Sequence, residues 1–192
     1  MPDENKIKVM LSSSVYGNEH VIEQIFSVLD GYGYKVLCSH KGTIYNIPGA
    51  SPEGSCLAAV EECDFFFGII FPYYGTSGIT HQEIKKAVEL NKPRGFLAHS
   101  NVAFARTLLK DFMFDKEGNR TDFDLKKKTT VMDTLKVIDM YNDAIGHGKP
   151  LSGRLWTHHY NKYEIDGADF VHSQFGDPQR LASDLKNLKD GK

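Results

Sequence analysis

Glu83 is the side chain in this sequence best placed to do chemistry. It follows a polar loop, residues 72–79, which itself follows a continuous apolar run, residues 65–71. The loop reads PYYGTSGI, so it offers hydroxyls, two aromatic faces, and glycines that let a ligand approach backbone N–H groups. A fixed carboxylate beside such a loop can stabilise positive charge that develops on a bound ligand. We therefore expect an active site at this loop.

A second polar group, the serines at 12–14, follows the first predicted strand. In an open parallel sheet, ligands bind beyond the carboxyl ends of the strands, where the winding direction reverses. In flavodoxin-like strand order that point lies between the first and third strands, so the serines and the 72–79 loop should meet there. The combination suits a nucleotide-like ligand with ribose hydroxyls and a flat base. The predicted site consists of a catalytic Glu83 and the substrate-binding residues Ser12, Ser13, Ser14, Tyr74, Gly75, Thr76, Ser77 and His81.

Glu83 also has a purely structural interpretation. The run Thr80-His81-Gln82-Glu83 reads as a capping box, in which Glu83 lies in the first turn of its helix and bonds back to the Thr80 N–H. The serines after the first strand likewise fit turn or N-cap positions. The local sequence leaves these roles and the catalytic role open.

The elements that must position these residues follow from hydrophobic periodicity. The continuous apolar run 65–71 indicates a strand covered on both faces, as in the centre of a parallel sheet. The alternation of strands and helices predicts a flavodoxin-like, doubly wound open parallel sheet of about five strands with helices on both faces. The predicted strands are 6–12, 34–39, 65–71 and 94–99, and the predicted helices are 18–32, 52–62, 80–90 and 102–112.

The second half of the chain has weaker patterns. Residues 115–128 are charged and predict a surface insertion, in which the triple lysine 126–128 forms a solvated face. No linker is long enough to divide the chain, so residues 1–192 should form a single domain. The remaining periodicity predicts a helix at 131–145, a last strand at 170–175, and a terminal helix lined by Leu181, Leu185 and Leu188.

The composition argues against several classes of protein. The chain has 192 residues, 41% hydrophobic and 25% charged, with no apolar run long enough to cross a bilayer, so no membrane partner is expected. A net charge of -2 provides no basic field for nucleic acid. Residues 1–6 lack a secretory pattern, so we expect a cytoplasmic protein. The three cysteines include no Cys-x-x-Cys pair, so we expect them to be reduced, buried thiols. The adjacent His158 and His159 are poorly spaced to bind one metal ion, so no metal site is expected.

The sequence resembles an uncharacterised bacterial TIR-like domain family. The resemblance covers residues 6–112 well, and the segments that carry it are Leu11–Tyr16, Cys63–Phe65, Tyr74–Gly75, Gly78–Glu83 and Lys92–Pro93. The family belongs to a wider group shared by Toll/interleukin-receptor domains and nucleoside 2-deoxyribosyltransferases, whose enzymes cleave N-glycosidic bonds with a glutamate at this helix.

The resemblance implies that Glu83 is catalytic and that Ser12, Tyr74 and Gly75 are substrate neighbours. It makes residues 40–51 the counterpart of the regulatory loop after the second strand of TIR domains. It further implies a small-molecule nucleotide substrate, NAD, with no tightly bound cofactor. The resemblance also implies that the protein consumes or cyclises NAD in antiphage defence. It implies, in addition, self-assembly into a homo-oligomer.

The chemistry separates the alternatives within this group. Breaking a ribosyl N-glycosidic bond builds oxocarbenium character at the anomeric carbon, which a carboxylate below the ring stabilises or traps. Nicotinamide leaves as a neutral pyridine, whereas an ordinary nucleobase usually needs a proton from a second acid. Deoxyribosyltransferases typically place aspartates before their glutamate, but residues 71–82 contain none. The sequence therefore favours NAD cleavage over base exchange between nucleosides. The third alternative is a non-catalytic interaction module, in which Glu83 only caps its helix.

Overall fold

The computed structural model describes residues 6–14 and 16–191. Its strands are β1 Lys8–Ser13, β2 Lys35–Leu37, β3 Phe65–Ile70, β4 Arg94–His99 and β5 His158–Tyr160. Its helices are α1 Glu19–Gly31, α2 Pro52–Glu62, α3 Ile79–Glu89, α4 Ser100–Met113, α5 Lys136–Ile145, α6 Ala168–Phe175 and α7 Pro178–Asp190. The strands form one parallel sheet in the order β2-β1-β3-β4-β5, which confirms the predicted flavodoxin-like fold. The expectation of a cytoplasmic protein was drawn from residues 1–6, and of these only Lys6 is described. Val15 also lies outside the described residues.

Strand β3 is the centre of the fold, and all six of its residues are buried. Because successive side chains point to opposite faces of a strand, Phe67 packs with α1, α6 and α7, while Phe66 and Ile70 pack with α2, α3 and α5. Burial on both faces is what the continuous apolar run predicted. The two helical layers cover both faces of β3, so a ligand can approach this strand only at its ends.

The last strand lies earlier in the chain than the sequence predicted, so the prediction of a strand at residues 170–175 is wrong. Those residues belong to α6, where Val171 and Phe175 are four residues apart and both fully buried, as on the inner face of a helix. The fifth strand is β5, which pairs with β4 over only three residues. Two of its three side chains are exposed, so it carries no hydrophobic pattern.

Helix α5 begins at Lys136 rather than at the predicted residue 131. The Thr129 hydroxyl accepts a hydrogen bond from the Met132 N–H, 2.9 Å, and donates to the Met132 carbonyl, 2.9 Å. This local turn competes with helical hydrogen bonding. Residues 115–128 contain no helix or strand, and Phe123 and Leu125 within them pack against the α5 side of the core.

Cys38, Cys56 and Cys63 are free and buried, as predicted. Burial raises the pKa of the Cys63 thiol to about 11, so this thiol is neutral near pH 7. Across residues 6–14 and 16–191, the helices are too short or too polar to span a bilayer. Within the same ranges, no three His, Cys, Asp or Glu side chains cluster as metal ligands would.

Candidate functional site

Helix α3 begins two residues earlier than a capping box at Thr80 requires. Its N-cap is Gly78, which adopts a left-handed conformation with φ 67° and has no side chain of its own to cap the helix. Ile79 is therefore the first helical residue, and Glu83 lies in the second turn. The predicted capping box between Thr80 and Glu83 is wrong, because glycine takes the left-handed turn that starts the helix before Thr80 is reached.

The Glu83 side chain is directed into the protein rather than back to its own helix terminus. Only 3% of its surface is exposed. The Ser12 hydroxyl donates a hydrogen bond to Glu83 Oε2. Ser12 lies on β1, where it pairs with Gly68 of β3. The Cys56 thiol of α2 interacts with the same carboxylate. Three neighbouring elements, β1, α2 and α3, therefore hold Glu83 at the carboxyl edge of the sheet.

Burial dominates the electrostatics of this carboxylate. Desolvation raises the pKa of Glu83 to about 7, although the hydrogen bond from Ser12 and the interaction with Cys56 act to lower it. Within the described residues Glu83 forms no salt bridge, so no cation offsets the cost of its charge. The negative charge of Glu83 in turn helps burial to raise the pKa of the Cys56 thiol to about 12, which keeps that thiol neutral.

A cavity of about 330 Å³, called here the Glu83 cavity, opens over this carboxylate. Its wall comes from the end of β1, the loop after β3, the start of α3, and α2 through Pro52 and Cys56. Ser12 is not part of this wall and reaches the site through its bond to Glu83. The predicted site residues that line the cavity are Ser13, Ser14, Tyr74, Gly75, Thr76, Ser77 and Glu83.

His81 does not line the Glu83 cavity. Its ring is buried, with Nδ1 2.8 Å from the Tyr74 hydroxyl and Nε2 2.7 Å from Oδ2 of Asp143 on α5. A neutral imidazole satisfies both contacts when its Nε2–H donates to the carboxylate and Nδ1 accepts from the phenol. His81 therefore connects α5 to Tyr74, a cavity residue, instead of facing the cavity itself.

The sequence interpretation missed the contribution of the segment between α4 and α5. The Tyr74 N–H donates to both carboxylate oxygens of Asp133, at 3.0 and 3.2 Å. The same segment borders a second cavity of about 600 Å³, called here the Lys128 cavity. Its lining residues are Ser14, Tyr16, Gly17, Tyr73, Gly75, Thr76, Lys128, Thr129 and Asp133.

Residues 40–51, the predicted counterpart of a regulatory loop, form no helix or strand. Ser39 immediately before them and Pro52 immediately after them line the Glu83 cavity. The loop therefore begins and ends at the cavity wall, although its own residues lie outside that wall.

A family model described as "Domain of unknown function (DUF4062)" matches residues 8–153 of the chain. Among solved structures, the TIR domains of the activated Roq1 resistosome, which directly recognises the pathogen effector XopQ, are 15% identical with a TM-score of 0.52. That match covers 94% of this chain and 99% of the TIR chain. A 2-desoxiribosyltransferase from Leishmania mexicana is 12% identical with a TM-score of 0.42, over 88% of this chain and 99% of its own.

No curated protein matches the chain. At 15% identity, the likeness to the TIR domains shows that the chain shares their fold.

Proposed function

The chain belongs to the DUF4062 family, and on that premise we propose that it is an N-glycosidase that cleaves or cyclises NAD with release of nicotinamide. The observation that carries the proposal is the Glu83 carboxylate, buried without a cationic partner among the described residues and opening onto a cavity of about 330 Å³. A buried, unpaired carboxylate destabilises a protein. Such a group is typical of sites where its charge is needed for catalysis.

The proposed reaction uses Glu83 to stabilise positive charge. When the bond between the anomeric carbon and the nicotinamide nitrogen breaks, its electron pair leaves with the pyridine, which becomes neutral. The positive charge passes to the ribosyl ring, where the Glu83 carboxylate stabilises it or forms a covalent ester. A water molecule or a nucleophile of the same substrate then bonds to the anomeric carbon; where the ester has formed, its bond to that carbon breaks and Glu83 leaves as the carboxylate, and the proton of an attacking water is released to solvent. The low dielectric around Glu83 strengthens its interaction with the cation.

The composition of the cavity supports NAD rather than an ordinary nucleoside as substrate. Glu83 is the only carboxylate among the described residues that line the Glu83 cavity. A purine or pyrimidine leaving group usually needs an acid to protonate it, whereas nicotinamide does not. Bacterial antiphage signalling is the setting that we propose for this activity, from the resemblance to TIR-like enzymes.

Glu83→Gln tests the proposal directly. We expect nicotinamide release from NAD, measured by chromatography at pH 8, to fall by about a hundredfold or more, because glutamine has no charge to offer the transition state. Glu89→Gln is the matched control, since Glu89 lies exposed at the end of the same helix. It should retain wild-type activity.

Two outcomes would overturn the proposal. One is a wild-type protein that consumes neither NAD nor nucleosides at any protein concentration tested, which would favour a non-catalytic interaction module. The other is full activity in Glu83→Gln, which would place the reaction elsewhere.

A further inference from the structure

The Glu83 cavity and the Lys128 cavity are neighbours. They share four wall residues: Ser14, Tyr16, Gly75 and Thr76. Their volumes, about 330 and 600 Å³, each lie within the range of small-molecule sites. A ligand whose reacting end lies at Glu83 would reach the larger cavity by crossing these four residues.

The second cavity has one cationic group, Lys128, and one carboxylate, Asp133, in its lining. Lys128 is the only Lys or Arg among the described residues that line either cavity, and it forms no ion pair with a described residue. The one carboxylate nearby, Asp133, already accepts the Tyr74 N–H with both of its oxygens. The ammonium group of Lys128 is thus available to a ligand, and phosphate is an anion that lysine binds commonly.

Three of the four shared wall residues, Ser14, Gly75 and Thr76, are small. Gly75 adopts φ 78°, and a Cβ built there would lie 3.6 Å from the Ser14 Cβ. That distance is an ordinary van der Waals contact, so the positive φ, which side chains rarely adopt, is what favours glycine at this position. The exposed hydroxyl of Thr76 borders both cavities and is a donor for a phosphate oxygen.

We propose that Lys128 binds the diphosphate of a dinucleotide substrate, whose scissile ribosyl bond lies in the Glu83 cavity. This inference rests on the proposed function and specifies its substrate class. The second base of the dinucleotide lies in the Lys128 cavity, where Tyr16 and Tyr73, 87% and 40% exposed, offer aromatic faces for stacking. Nicotinamide riboside, which contains the same scissile bond without a diphosphate, should be a poor substrate.

Lys128→Ala and Lys126→Ala make a matched pair, because both lysines are exposed in the same run but only Lys128 lines the cavity. We expect Lys128→Ala to weaken ADP binding, measured by isothermal titration calorimetry, by about tenfold, as loss of a charge-assisted hydrogen bond does. The KM for NAD should rise by a similar factor while kcat changes less than about twofold, because the diphosphate does not react. Lys126→Ala should match the wild type in both measurements.

The binding and turnover measurements separate this inference from the proposed function. Lys128-dependent ADP binding by a protein that never cleaves NAD would keep the subsite and overturn the proposed reaction. Cleavage of NAD by a protein whose ADP affinity and KM are unchanged by Lys128→Ala would overturn the subsite alone. No ADP binding by the wild type, or nicotinamide riboside cleaved as efficiently as NAD, would also overturn it.

Discussion

The buried carboxylate of Glu83 predicts that Glu83→Gln stabilises the protein at high pH. The pKa of Glu83 rises from an ordinary value of 4.5 to about 7 on folding. Between these values the native state binds more protons than the unfolded state, so stability falls as the pH rises through this window. Above pH 7 both states are ionised and the full cost applies, about 3 kcal/mol at 1.36 kcal/mol per pKa unit. Glutamine is neutral throughout and avoids this cost.

Urea unfolding followed by circular dichroism at pH 5 and pH 8 measures this effect. At pH 8 the Glu83→Gln variant should exceed the wild type in unfolding free energy by about 2–3 kcal/mol, and at pH 5 the two should agree within about 1 kcal/mol. The amide oxygen of glutamine can still accept the Ser12 hydrogen bond. Glu89→Gln should stay within about 0.5 kcal/mol of the wild type at both pH values.

The direction of the effect distinguishes the two roles considered for Glu83. A side chain that stabilised its helix terminus would give no pH-dependent gain when replaced. A residue kept for catalysis at a cost in stability should give a variant that is more stable and less active. An equal difference between variant and wild type at pH 5 and pH 8 would refute the electrostatic reasoning.

Two further substitutions test the surroundings of the site. Ser12→Ala removes a hydrogen bond that lowers the pKa of Glu83, so the acid limb of kcat/KM for NAD cleavage should move to higher pH; an unmoved limb would contradict this. Gly68→Ala would place a Cβ 2.7 Å from the Phe96 ring and should destabilise by about 1–3 kcal/mol in urea unfolding. The control is Gly31→Ala at the end of α1, where a new Cβ would meet no neighbouring side chain within 4 Å. This variant should be as stable as the wild type or more stable by about 0.5 kcal/mol. Equal losses of unfolding free energy in both glycine variants would contradict the packing argument.

Local patterns predicted the elements whose burial is regular. Helix α2 and strand β4 have the predicted bounds, and β3 is buried on both faces as its apolar run indicated. The pattern failed at α6, because a short segment rich in apolar residues fits a strand or a buried helix equally well. It also failed at β5, where Tyr160 is the only buried side chain.

The site was predictable only as far as the topology of the sheet determines it. Strand order brings the serines after β1 and the loop after β3 to one edge, so the position of Glu83 followed from the fold class. The bond of Asp133 to Tyr74 spans 59 residues, and no local pattern encodes such a contact. Lys128 lay in a charged run whose ordinary interpretation is a solvated face.

Tyr74 is held at two points by one distant part of the chain. Asp133 accepts its backbone N–H, and Asp143 reaches its hydroxyl through His81. The shape of the cavity wall is thus determined as much by residues 133–143 as by the loop that contains Tyr74. Family members that differ in this segment should differ in the shape of the cavity wall even where they keep both the loop and Glu83, and grafting the loop alone onto another such domain would leave Tyr74 without its supports.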